Sequence, residues 1–302
     1  MRVGTSLTTN LAAPDPASGA AWLIERARAA HDAGLDSLSL GDHHAVRAPY
    51  YQNTPMLGRL LGEWTSGRPA GCLFLLPLWN PVLVAEHVGT LASLTDGPFV
   101  VQTGIGSGAG QFAAMGAELR TRGAMTDESI RVIKALLAGE TVSSERFGIE
   151  DAAVDLVPRQ PVEWWIGAGS GKPMQRAARE GTAWYGMPGL SVERTAQLIA
   201  EFREACAAAG NDHAEAIMRA DVIVLQDDAA ASARADQLIA AGYRGHRNRS
   251  AVIAGGAERM AEIFGAYAEV GVDEVVVRCM NVTQAEAVET LTVCGEVRRL
   301  LA

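Results

Sequence analysis

The chain is predicted to be an α/β protein, a (β/α)8 TIM barrel with insertions after strand 4 and strand 7, and three observations predict it. Strand-like apolar runs alternate along the chain with helical stretches whose apolar residues recur at three- and four-residue spacing. Three junctions, around Gly34, Gly181 and Gly271, repeat one grammar in which a helical stretch ends at glycine and a small or acidic residue leads into the next apolar run. Glycine just past a helix adopts the left-handed conformation without a Cβ penalty, so such junctions mark βαβ winding. The length of 302 residues suits one such barrel, typically about 250 residues, with insertions. Residues 1–302 are therefore expected to form a single domain.

Strands are expected near Val3–Leu7, Ser37–Gly41, Gly71–Leu76, Phe99–Gly104, Val162–Gly167, Thr182–Met187, Ile217–Leu225 and Glu274–Arg278. The first begins almost at Met1, with no basic stretch leading into a long apolar run, so a signal peptide is not expected. Helices are expected over Ala20–Ala33, Val82–Leu94, Asp127–Ala138, Val192–Ala209 and Ala257–Val270. Gly139–Pro161, with Pro158 and Pro161 and no sustained period, reads as the first insertion. The segment Tyr243–Ser250 is basic within an acidic chain and reads as a solvated loop, a lid or an anion clamp.

Composition narrows the function. At 48% hydrophobic residues the chain can bury a large core, and a net charge of -9 argues against a nucleic-acid partner, which is bound through surplus Lys and Arg. No run approaches the eighteen or more apolar residues of a membrane span. Cys72, Cys206, Cys279 and Cys294 lack CxxC spacing, which suits reduced thiols in a cytoplasmic protein better than a disulfide frame or a zinc site.

Gly41-Asp42-His43-His44 closes the second strand. In a parallel barrel that end lies on the catalytic face, so two histidines and a carboxylate there point to acid–base chemistry, although a strand-end Asp also caps turns and a His also donates to carbonyls. Side chains alternate along a strand, which groups Ser37, Ser39, Gly41 and His43 against Leu38, Leu40 and Asp42. Leucines suit the helix side, so His43 is expected to point into the barrel mouth. The same alternation keeps Asp42, His43 and His44 from converging on one ion.

Two glycine-rich loops follow other strands. Gly104-Ile105-Gly106-Ser107-Gly108 lacks the acidic residue about 20 positions on that a dinucleotide fingerprint carries, and it reads as backbone brought close to a planar ring. Gly169-Ser170-Gly171-Lys172 offers backbone N–H groups, a hydroxyl and an ammonium to a phosphate, or is a plain βα turn.

With these motifs placed, the chain resembles the luciferase-like flavin monooxygenases, which include bacterial luciferase, alkanesulfonate monooxygenase and deazaflavin (coenzyme F-420) reductases. The resemblance covers nearly the whole chain and rests on five motifs in order. They are Gly41-Asp42-His43-His44, Leu76-Pro77-Leu78-Trp79-Asn80-Pro81, Thr90-Leu91-Ala92-Ser93-Leu94-Thr95-Asp96-Gly97, Gly104-Ile105-Gly106-Ser107-Gly108 and Trp165-Ile166-Gly167-Ala168-Gly169-Ser170-Gly171. Pro98, where the family usually has Arg, and Gln111 before Phe112, where it has an acid, depart from the pattern.

The resemblance implies that His43 is catalytic, facing the reactive part of the flavin, with Asp42 and His44 setting its tautomer or binding substrate. It implies that Gly104 and Gly106 shape the flavin pocket and that Gly169, Ser170, Gly171 and Lys172 hold the phosphate. It also implies a bulge with a non-prolyl cis peptide at Cys72-Leu73, behind the ring. The leading expectation is a monooxygenase that uses reduced FMN, supplied by a separate flavin reductase, and oxygen on a small organic substrate. Hydride transfer with deazaflavin (F-420) is the alternative, and a flavin-binding protein without turnover is another.

A homo-oligomer is expected as well. A metal-dependent barrel hydrolase would need ligands at other strand ends, whereas His31, His87 and His213 fall in helical or turn context. Tyr50, Tyr51, Trp64, Trp79, Trp184 and Met187 either wall an apolar pocket or belong to the core.

Overall fold

The computed structural model describes residues 1–243, 249–280 and 283–302. Its strands are β1 (Arg2–Leu7), β2 (Leu38–Leu40), β3 (Ala70–Leu75), β4 (Phe99–Gly104), β5 (Val142–Ser144), β6 (Ile149–Ala152), β7 (Glu163–Gly167), β8 (Ala183–Gly186), β9 (Glu215–Val224), β10 (Ile253–Gly255) and β11 (Glu274–Cys279). Its α-helices are α1 (Pro16–Asp32), α2 (Asn53–Leu60), α3 (Pro81–Ala92), α4 (Ala109–Ala114), α5 (Arg122–Leu137), α6 (Lys172–Glu180), α7 (Val192–Ala209), α8 (Asp228–Ala240), α9 (Ala257–Glu269) and α10 (Gln284–Leu300).

The predicted barrel is present and closed: β1, β2, β3, β4, β7, β8, β9 and β11 pair in that order, all parallel, and β11 returns to β1. The segment Gly139–Pro161 carries an antiparallel hairpin of β5 and β6 with a left-handed Gly148 at its turn. Strand β10 was not anticipated, because three residues give no readable period; it extends the upper half of β9 through Val222–Val224. The Cys72-Leu73 bond is a correction, since every peptide bond among the described residues is trans. There β3 runs in unbroken register with β4 from Ala70 to Leu75, which leaves no bulge. No described helix is long and apolar enough to cross a membrane.

The register fixes what fills the lumen. Barrel strands tilt, so a horizontal layer advances by about one residue per strand and takes its side chains from alternate strands. Applied to the observed pairings, this puts Ser37, Val100, Ala183 and Glu274 in the lowest layer, and Gly4, Gly71, Trp165 and Ile217 above them. Ser39, Gln102, Tyr185 and Val276 follow. Val100, Trp165, Ala183, Tyr185, Ile217 and Val276 form one buried cluster, as the layering requires. Trp165 has room because Gly4 and Gly71 share its layer, and a Cβ on Gly71 would strike the Val100 carbonyl. The opposite parity, including Leu38, Leu40, Cys72 and Trp184, packs into the large core under the helices.

Glu274 is the exception in this packed base. Its carboxylate accepts from the Ser37 hydroxyl and, at 3.0 Å, from Arg2 Nε, while the Arg2 guanidinium also pairs with Glu215. Burial outweighs these partners and pushes Glu274 up to about 7. The folded chain thus keeps a proton that the unfolded chain releases at ordinary carboxylate pH. Stability falls as pH rises from the usual carboxylate range to about 7 and then levels off, and a shift of this size corresponds to about 3 kcal/mol. Glu274→Gln, neutral at every pH, is expected to melt higher than the parent at pH 8 and to lose most of the decline between pH 5 and pH 8. Parallel melting-temperature profiles for the two proteins would assign that decline to other groups.

Candidate active site

The site begins where the packed lumen ends. Ser39, Gln102, Tyr185 and Val276 form a buried floor. Above it come Ser6, Leu73, Gly167 and Arg219, then Gly41, Gly104 and Arg278, and most of these are partly exposed. Three wall positions, on β4, on β7 and just past β2, are therefore glycines, which leaves a slot that side chains would otherwise close. At its floor Gln102 Nε2 is buried and has no hydrogen-bond partner among the described residues. A buried donor without a partner costs about 1–3 kcal/mol, so a polar edge lying in the slot would be favoured there.

The rim is ionic. Arg219 Nε stands 3.4 Å from Asp221 Oδ1, the Tyr243 hydroxyl donates to Asp221, and Arg278 Nε donates to Thr8 Oγ1 at 3.1 Å. Burial, more than the opposed fields of Arg219 and Asp221, pushes the Tyr185 phenol up to about 12, so it remains a neutral hydroxyl. Sequence reasoning missed this group. Its signal was a charged pair, Arg219 and Asp221, at the same parity as Ile217 in a strand that past its opening Glu215 is otherwise apolar, where an outward strand face would carry no such charges.

The tetrad after β2 divides between two roles. Asp42 is buried, and its Oδ2 accepts from Leu75 N at 2.7 Å and Trp79 Nε1 at 2.8 Å, tying the end of β2 to the end of β3. Its Oδ1 approaches His44 Nε2 at 3.1 Å. His44 is buried beneath the edge of Trp79, and its backbone N–H donates to Gln111 Oε1 at 2.7 Å. This contact uses the Gln that replaces the family's acid. His43 is exposed on the mouth side, its ring 6.0 Å from Tyr50, whose hydroxyl also lies over Gly41. Ala45, at φ 52°, turns the chain away immediately afterwards in the left-handed region, a strained conformation for alanine.

The wall continues from Gly167 through Ala168 into Gly169-Ser170-Gly171-Lys172, and Lys172 opens α6. Gly171, at φ 63°, caps that helix with no side-chain hydrogen bond, and nothing lies within 4 Å of where a Cβ on Gly169 or Gly171 would stand. The loop is open and already holds an anion, because Gly171 N donates to Glu201 Oε1 at 2.6 Å. A phosphate suits the same donors. Gly104 ends β4 beside Leu75, and Gly106 sits over the Phe112 ring. Leu73 reaches the slot, whereas Cys72 faces the helix core with its thiol pushed well up by burial.

Among the aromatic residues, Trp64 and Trp184 take the core alternative, since both are buried there and donate to the Arg68 and Ala168 carbonyls. Tyr51 ties its loop to the Pro16 carbonyl, and Met187 is exposed. Of the basic segment, residues 244–248, with Arg244 and Arg247, lie outside the described residues; Arg249 pairs with Asp236 at 2.7 Å.

The Asp42 contacts make a sharp expectation. Removing a buried carboxylate that accepts from a backbone N–H and an indole strands both donors, at about 1–3 kcal/mol each. Asp42→Ala is expected to lower stability in urea by about 3 kcal/mol. A loss below about 1 kcal/mol would mean that the β2–β3 tie is dispensable.

Comparisons with known proteins agree with this layout. A family model described as luciferase-like monooxygenase matches residues 1–301. The chain is 27% identical over 199 residues to an F420-dependent glucose-6-phosphate dehydrogenase of Kribbella flavida, covering 62% of this chain and 60% of that protein. A protein of the same description from Mycolicibacterium smegmatis is 29% identical, with 65% and 62% covered. The match thus spans about 60% of the length of these curated relatives. Among solved structures, an F420-dependent secondary alcohol dehydrogenase in complex with an F420-acetone adduct superposes with a TM-score of 0.82 at 18% identity, covering 100% of this chain and 99% of the other. The oxygenating constituent of 3,6-diketocamphane monooxygenase from Pseudomonas putida, in complex with FMN, does so at 0.75 and 15%, covering 99% and 98%.

Proposed function

The chain belongs to the luciferase-like monooxygenase family, and from that premise we propose that it is an oxidoreductase that uses the deazaflavin F420 for hydride transfer with a small polar alcohol or carbonyl substrate. The observation that carries this reading is the ionic, partly open mouth that Arg219, Asp221 and Arg278 form around the glycine-walled slot. A reactive oxygen adduct needs water excluded, whereas His43 is exposed here and the rim is charged. Hydride transfer needs instead a hydroxyl or carbonyl oriented by donors and a group to take or return one proton. The description of the curated relatives as F420-dependent supports the same choice over the reduced-FMN oxygenation that the sequence first suggested.

In this reading the slot between Gly41, Gly104 and Gly167 takes the deazaflavin ring, Gln102 Nε2 meets its polar edge, and Gly169 to Lys172 hold its phosphate. A deazaflavin held there would supply a hydride acceptor for oxidation of the substrate carbon or a hydride donor for its reduction. Arg219 and the neutral Tyr185 hydroxyl orient the substrate oxygen, and His43 takes the hydroxyl proton in oxidation or returns it in reduction.

Fluorescence titration tests the cofactor. F420 is expected to bind the purified chain more tightly than FMN, and Lys172→Ala is expected to weaken F420 binding by up to about fivefold, the upper end for one exposed charge contact. Tighter FMN binding, joined to oxygen consumption with reduced FMN, would return the chain to oxygenation.

His43 is tested separately. His43→Ala is expected to lower turnover by about 10²–10⁴-fold while F420 affinity stays within about twofold. Turnover near that of the parent would leave His43 outside the chemistry.

A further inference from the structure

Glu201 lies on α7, far in sequence from every cofactor motif, yet its carboxylate is the anion now seated on the phosphate loop, with Oε1 2.6 Å from Gly171 N. It has somewhere else to go. A groove of about 560 Å³ between α6 and α7 is lined by Met174, Gln175, Arg179, Glu201, Glu204 and Ala205, so the side chain can withdraw along it without leaving its helix. Withdrawal frees the N–H but keeps the negative charge beside the loop, in a groove that also holds Glu204 and Arg179.

We propose that Glu201 is a specificity-determining residue that selects the cofactor by the charge on its phosphate, an inference that rests on the deazaflavin reading above. FMN ends in a phosphate monoester, which carries a charge of about -1.5 to -2 at neutral pH. The deazaflavin phosphate is a diester, because its tail continues from it, and it carries one negative charge. A fixed carboxylate at the cradle repels the monoester more than the diester, and both must displace it from Gly171. One extra unit charge at about 4–6 Å changes affinity by about threefold in bulk water and by about a hundredfold or more at a protein surface, and about tenfold is expected at this solvent-open loop. Glutamate here therefore biases an anion loop common to both cofactors toward the less charged one.

The test compares the parent with Glu201→Gln, which keeps the side chain's size and an amide oxygen that still accepts from Gly171. F420, FMN and riboflavin, which has no phosphate, are titrated by fluorescence at pH 8 and low salt. The variant is expected to gain affinity for both phosphate-bearing cofactors and none for riboflavin, with the gain for FMN, whose phosphate carries about one charge more at this pH, about tenfold larger than the gain for F420. The FMN gain is expected to shrink in 0.5 M salt, because an exposed charge effect is screened there and a packing effect is not. Equal gains for FMN and F420, no gain for FMN, or a matching gain for riboflavin would overturn the assignment to Glu201. If the parent binds FMN and not F420, the deazaflavin reading fails by itself, and the FMN-to-riboflavin ratio in the two proteins still decides the role of Glu201.

Discussion

Filling a lumen of fixed size is the constraint on which everything else in this molecule depends. Closing eight parallel strands fixes tilt and stagger together, so the interior has one volume and side chains must occupy it layer by layer. Trp165 fills most of one layer because Gly4 and Gly71 contribute nothing to it, and Val100, Ile217 and Val276 close the space around it. Higher up the balance reverses, and Gly41, Gly104 and Gly167 leave the wall thin. A gradient from bulk to glycine along the barrel axis turns a packed core into a pocket.

The most conspicuous motif in the chain works across that boundary. Asp42 points out of the lumen and holds the β3 end by the Leu75 N–H and the Trp79 indole, while His43, one residue on, emerges on the mouth side next to Tyr50. The alternation of side chains makes the two roles inseparable, because any shift that released Asp42 would also turn His43 away. His44 adds to the tie through Gln111, whose amide oxygen accepts the backbone N–H where a carboxylate is usual. The departure at Gln111 keeps that acceptor without adding charge next to Asp42.

What the sequence made legible follows from periodicity and its reach. The eight barrel strands and α7 stand close to where apolar runs and glycine stops place them, because those signals are local and strong. Strand β10 and the β5–β6 hairpin escaped, being only three or four residues long and stabilised by pairing with residues elsewhere in the chain. Trp64 and Trp184 stayed open between pocket wall and core because sequence position gives proximity to a strand end but not facing, which for Trp184 depends on the register of β8 against β7. Glu201 carried no signal at all. Its meeting with Gly171 depends on how α6 packs beside α7, which no spacing along the chain encodes.

The charged groups at the base and at the mouth of the lumen are kept apart, and that separation lets the mouth vary without disturbing the base. Glu274 and Arg278 lie on the same face of β11, four residues apart, which at about 3.3 Å per residue is about 13 Å along the axis. Between them stand Trp165, Ile217, Val276 and the ring of Tyr185, so little field passes from base to mouth; Glu274 is the weakest of the influences on Tyr185. Groups this far apart with no shared partner contribute nearly independently. Residues at the mouth are therefore free to change sign or size with little cost to the base, whereas a change at Trp165 or Gly71 is felt by every layer. Chemistry in such a fold resides in the few side chains above the floor, and the identity of those side chains decides what the slot does with its cofactor.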